Sequence, residues 1–196
     1  MKPSYNGFEA KRSGGYIELP VPGAYIGEIQ DVRFIEGKDG QRGRIECKME
    51  ITEGEYKGRY NEVFEDQRER FGNATYKGVF RIVCPSDDDE TWVVSKFQGN
   101  LWCVQESNPG YKWDWDEKKL KGKKVGFSVR KRFYTYDNKD RETTEIGQFE
   151  TIDDVRNGKC KLMKARDQRK EHDDTAEEST DGSNFTDVSK DVAVPW

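Results

Sequence analysis

Histidine is almost missing from this chain: His172 is the only one in 196 residues. It lies in a stretch with no large apolar neighbours, so imidazole-based acid–base or nucleophilic catalysis is not expected. Cysteine is sparse and scattered. Cys47, Cys84, Cys103 and Cys160 form no C-x-x-C pair, which argues against a zinc knuckle or ribbon. Four free thiols in a reducing cytoplasm are the expectation. No apolar run approaches the ~20 residues that a membrane-spanning helix needs. Met1-Lys2-Pro3-Ser4-Tyr5 leads into no apolar segment, so no signal peptide is expected. The Gly-Lys pairs at 37–38, 122–123 and 158–159 are not followed by Ser or Thr, so no phosphate-cradling P-loop is present. No internal repeat is visible. No cofactor, metal or catalytic residue is expected.

Apolar residues are also scarce, at 33 %, while charged residues reach 37 %. The core is therefore modest. The charge is uneven: 167–196 holds 9 acids and 3 bases, a net of −6, and 1–166 holds 31 bases and 29 acids, a net of +2. Length and charge together divide the chain into an N-terminal arm (1–22), one folded body (23–166) and an acidic tail (167–196). Gln168 to Ser183 contains no Val, Ile, Leu, Phe, Tyr or Trp, so the tail is expected to be disordered.

Within the body, Tyr25 to Ile35 predicts a strand and Gly37-Lys38-Asp39-Gly40 a turn. Arg44 to Ile51 alternates strictly: Ile45, Cys47, Met49 and Ile51 on one face, Arg44, Glu46, Lys48 and Glu50 on the other, expected in solvent. A third strand is expected near Tyr60 to Phe64. Asp87-Asp88-Asp89-Glu90 followed by Trp92, Val93, Phe97, Leu101 and Val104 predicts a helix over about 88–106, capped by Ser86 or an Asp. Lys123 to Tyr136 reads as the longest strand, Asp137-Asn138-Lys139-Asp140 as a hairpin turn and Thr143 to Ile152 as the return strand. A short segment through Cys160 and Leu162 closes the body. Three strands, a helix and two strands make a mainly β protein. That is the element order of an OB-fold, a five-stranded Greek-key barrel with a helix between strands 3 and 4. An SH3-like barrel or a small α+β sandwich would also fit.

Two features carry chemistry. From Glu117 to Tyr134 there are 8 bases and one acid, a net of +7, and Phe133, Tyr134 and Tyr136 follow directly. Positive charge to track phosphates beside rings on which bases stack is what an unpaired nucleic-acid strand needs. Alternation puts Lys124, Arg130, Arg132, Tyr134 and Tyr136 on one non-core face. Candidate phosphate contacts are Arg44, Lys123, Lys124, Arg130 and Arg132; candidate stacking rings are Tyr60, Tyr134 and Tyr136. Trp113-Asp114-Trp115 offers either stacking rings or a loop pinned to the body. The second feature is the tip, where Asp191, Val194, Pro195 and Trp196 suit a partner pocket with an apolar hole and a few bases.

The tip resembles the tail of bacterial single-stranded-DNA-binding proteins, which ends in acids, an apolar residue, Pro and Phe; here Trp196 replaces the Phe. Leu19-Pro20-Val21-Pro22-Gly23-Ala24-Tyr25, Glu53-Gly54-Glu55-Tyr56-Lys57-Gly58-Arg59 and Leu120-Lys121-Gly122-Lys123-Lys124-Val125-Gly126 resemble segments of a family of phage and prophage single-stranded-DNA-binding proteins. The resemblance implies an OB-fold and coating of single strands in the host cytoplasm during replication or recombination. It also implies recruitment of replication and recombination proteins by the tip. Self-association into a homo-oligomer stays open. Two rivals remain. One is a metal-dependent nuclease using Asp31, Glu46 and Lys48. The other is an adaptor that binds a host protein without touching DNA.

The opposite charges of tail and basic segment predict competition for the same groove. Deleting residues 168–196 should tighten binding to oligo-dT at low salt, measured by titration. An unchanged affinity removes the competition.

Overall fold

The computed structural model describes residues 17–38, 40–86 and 90–169. Most of the arm, Asp87 to Asp89, His172 and the tip residues Asp191, Val194, Pro195 and Trp196 lie outside the described residues. The protein is mainly β. Among the described residues six strands form one mixed sheet: β1 (Gly23–Ile35), β2 (Arg44–Ile51), β3 (Val79–Val83), β4 (Lys124–Tyr136), β5 (Lys139–Glu150) and β6 (Arg166–Gln168). Three α-helices among the described residues accompany them: α1 (Arg59–Phe71), α2 (Thr91–Ser107) and α3 (Ile152–Arg156). A 3-10 turn at Glu117–Leu120 leads into β4.

The strand order is β3-β2-β1-β4-β5, all antiparallel, with β6 joining β4 in parallel. The sheet is not closed. β3 and β5 meet through side chains, with Phe80 and Phe149 ring centroids 4.6 Å apart. Ile29, Met49, Ile82, Val125, Phe127 and Val129 form the core, and α2 covers it with Phe97, Leu101 and Val104. Among the described residues no helix is long and apolar enough to cross a membrane.

Several expectations hold. β2 turns Ile45, Cys47, Met49 and Ile51 inward, as its alternation requires. α2 occupies the predicted place, although Glu90 precedes it and no side chain caps it. The β4–β5 turn is tighter than predicted: Asp137 and Asn138 alone make it, both at φ 52°, while Lys139 and Asp140 already pair in β5. Two left-handed residues are the mark of a type I′ hairpin, whose twist suits the flanking strands.

Three expectations do not hold. The predicted third strand at Tyr60–Phe64 is the first half of α1. Tyr60, Val63 and Phe64 sit at i, i+3 and i+4, a helical stripe that a five-residue window cannot separate from a strand. The real third strand is Val79–Val83. The predicted tail begins two residues too early, because Asp167 and Gln168 pair with Phe133 and Tyr134 in β6. Edge pairing runs through the backbone and needs no apolar side chains. Finally, the outer face of β2 is not all in solvent: Glu46 is 1 % exposed and Glu50 5 %.

Glu50 explains where α1 starts. Gly58, at φ 76°, precedes the helix and has no side chain to cap it. The Glu50 carboxylate reaches across instead. It accepts the backbone N–H of Tyr60 at 3.1 Å and of Asn61 at 2.6 Å, and the Tyr76 hydroxyl at 3.2 Å. A buried anion thus satisfies helix donors that otherwise have no partner. Replacing Glu50 with Ala strands these donors, so Glu50→Ala should lower stability in urea unfolding by about 3 kcal/mol.

Candidate nucleic-acid interface

β1 and β4 part company at the Gly23–Val129 pair. Beyond it, Arg130 to Tyr136 runs on as a ribbon, with β5 on one side and β6 on the other. Register sets its faces. Arg130, Arg132, Tyr134 and Tyr136 stand opposite Glu145, Thr143, Arg141 and Lys139, all turned away from the core side that carries Val129 and Ile146. Lys131 and Phe133 point the other way, and Lys131 meets Glu142 at 3.6 Å.

One carboxylate organises the base of this face. Glu145 takes Arg130 at 2.7 Å and lies 3.8 Å from both Arg132 and Arg166. The Arg132 guanidinium also sits 5.4 Å from the Tyr134 ring centroid. Tyr136 is 66 % exposed. With Lys139 and Arg141 added, five bases face one acid. The segment leading into β6 extends the charge. An open cleft of about 460 Å³ lies between it and the sheet, lined by Arg130, Gln148, Lys161–Ala165 and Arg166. Four of its lining side chains are cationic.

The structure brings together Arg130, Arg132, Tyr134 and Tyr136, and separates the other candidates from them. Lys123 and Lys124 precede Arg130 by six residues or more, about 20 Å of strand. The face between is covered: Ser128 is fully buried, and a Cβ at Gly126 would fall 2.6 Å from Val155 of α3. Lys123 instead lies over the Tyr111 ring at 4.8 Å, and Asn108 holds the Lys124 backbone. Arg44 belongs to β2, beside Glu46.

Tyr60 is a correction. Its ring is 2 % exposed, packed 6.2 Å from Tyr76 inside the core, so no base can stack on it. The Trp113 and Trp115 alternatives divide. Trp113 is pinned against Phe97 at 6.4 Å, while Trp115, at φ 68°, stacks one face on Phe97 and remains 75 % exposed.

Sequence reasoning missed Lys139, Arg141, Lys161, Lys164 and Arg166. A two-residue turn at Asp137-Asn138 would have set Lys139 opposite Tyr136 and Arg141 opposite Tyr134. No local signal announces the parallel pairing of β6. The three candidate nuclease residues are otherwise engaged. Asp31 bonds Lys121 at 3.2 Å. Glu46 takes Arg33 at 2.7 Å and Arg81 at 2.6 Å. Lys48 lies over the Tyr76 ring at 4.3 Å. Compared with models of known protein families and with curated protein sequences, the chain matches none.

Burial, then the nearby Glu50 charge, pushes the Tyr60 and Tyr76 phenols far above the usual tyrosine range. A raised folded pKa means stability that is intact below the unfolded value, about 10, and lost as pH rises above it. A pH titration followed by tyrosinate absorbance and circular dichroism checks this. Tyr60 and Tyr76 should ionise only with alkaline unfolding. Tyr60→Phe should remove one phenol from the unfolding step alone.

Proposed function

We propose that this chain binds single-stranded DNA in the manner of the phage single-stranded-DNA-binding proteins that its sequence resembles. The observation that carries the reading is the ribbon face, where Arg130, Arg132 and Arg141 share one side of the ribbon with Tyr134 and the exposed Tyr136, and Arg166 pairs beside Arg132. The cations follow the phosphates, and the two rings take the faces of successive bases. Neither interaction reads a base edge, so the binding is tolerant of sequence.

The fold reading that goes with it is an opened OB-fold. β1 is shared between β2 and β4, a helix lies between β3 and β4, and the β3 and β5 edges approach through Phe80 and Phe149. In such folds the loop between the last two barrel strands borders the ligand, and here that loop is the tip of the ribbon. Coating of single strands during phage replication or recombination, in the host cytoplasm, and recruitment of partner proteins by Asp191, Val194, Pro195 and Trp196 complete the proposal.

Labelled oligo-dT followed by anisotropy tests it. Binding should weaken as salt rises, the ribbon alone contributing about −3 to the log–log slope, from roughly 0.7 for each of about four phosphates engaged. Tyr134→Ala and Tyr136→Ala should each weaken binding about tenfold, and the Phe variants should restore it, because the ring does the stacking. Glu145→Gln should tighten binding at low salt. No binding by the wild-type chain at low salt ends the proposal.

A further inference from the structure

The arrangement around Glu145 occurs a second time, on a different part of the sheet. Register puts Arg33 of β1, Glu46 of β2 and Arg81 of β3 on one rung, turned away from the core. Arg44 lies on the next rung, between Ile35 and Val83. Glu46 is almost fully buried beneath these three guanidinium groups. Its Oε2 accepts Arg33 Nε at 3.0 Å and Nη2 at 2.7 Å. Its Oε1 accepts Arg81 Nε at 2.6 Å, and Arg44 Nε stands 3.4 Å away as an ion pair without hydrogen-bond geometry.

The charges do not cancel. Arg33, Arg44 and Arg81 gather around Glu46 alone, a local net of +2, while Lys48 and Asp31 pair with each other on the neighbouring rung and Lys121 bonds Asp31. Both Glu46 oxygens are already taken. Like charges drawn this close attract a further anion, and the side chains of Arg44 and Arg81 stay partly exposed. Arg81 is the clearest case: its side chain is 52 % exposed and gives only Nε to Glu46. The open fork of an arginine matches the oxygens of a phosphate.

The geometry points to a second phosphate-binding site at Arg44 and Arg81, with Glu46 and Arg33 as its anchor, gripping the backbone of the same single strand that the ribbon engages. This rests on the proposed strand binding. The two sites divide the labour: the ribbon supplies rings and charge, and the β1–β3 face supplies charge alone. Glu46 is a positioning residue that holds the forks in place.

The test is Arg44→Gln/Arg81→Gln in the full chain, titrated with oligo-dT at several salt concentrations. The expected result is a salt slope shallower by about 1.4, from roughly 0.7 for each phosphate no longer held, and an affinity at least about fivefold weaker near 0.1 M salt. Thermal unfolding checks that the variant is folded. If the double variant is unstable, Arg81→Gln alone carries the test, with a slope shallower by about 0.7. Wild-type slope and affinity in these variants, while Tyr136→Ala still weakens binding, overturn the second site and leave the ribbon standing. No binding by the wild-type chain overturns both.

Discussion

Gly27 is the point on which the sheet turns. It pairs with Ile51 of β2 on one side and with Val125 of β4 on the other. A side chain there would run into the Glu50 carbonyl and the Phe127 ring. With only a hydrogen at this position, β1 can serve β4 with its first half and β2 with its second. A bulge between Ile29 and Asp31 adds the local bend and twist that such a change of partner requires. Because β4 is paired to β1 only as far as Val129, its remaining seven residues are released to run out with β5. The edge left open is then taken by β6. The basic ribbon is thus a consequence of how far β1 reaches.

Three carboxylates on or near the outer face settle its electrostatics, each in a different way. Glu50 is committed to backbone N–H groups and starts a helix. Glu145 and Glu46 are each committed to guanidinium groups. For Glu46, burial alone would raise the carboxyl pKa, but hydrogen bonds from Arg81 and Arg33 and their charges outweigh it and hold the group below the usual range. The carboxylate therefore stays ionised at neutral pH. Its burial is offset by cations that remain only half covered. A carboxylate in this position fixes guanidinium geometry while neutralising less than half of the charge it gathers.

Much of this was legible in the sequence wherever the signal was local. The period of two in Arg44 to Ile51 marked a core face, and the spacing of Val93, Phe97, Leu101 and Val104 marked α2. Alternation placed Arg130, Arg132, Tyr134 and Tyr136 together. The failures share a cause. Lys123 and Lys124 are neighbours of Arg130 in sequence, but α3 returns from a distant part of the chain to cover the face between them. Tyr60 is a residue type common in strands, and the Glu50 carboxylate that satisfies the first donors of its helix comes from β2, a separate segment. Arg33, Arg44 and Arg81 are far apart in sequence, and the register that unites them depends on two separate pairings of β2.

The distinction between arginine and lysine in this surface has an energetic meaning. On the proposed binding, the gripping groups at both anchored sites would be arginines already held by a carboxylate, so little rotamer freedom would be lost when a phosphate arrived. The lysines of the cleft, Lys161 and Lys164, lie on an irregular segment and are exposed. They would attract a polyanion over distance but would each have to be ordered to hold it. An extended strand would meet exposed lysines at the cleft, prearranged forks at Glu145 and Glu46, and rings at Tyr134 and Tyr136. Only the rings add a short-range attraction that salt does not screen. On the proposed binding they, rather than the more numerous bases, would set the affinity that survives at high ionic strength.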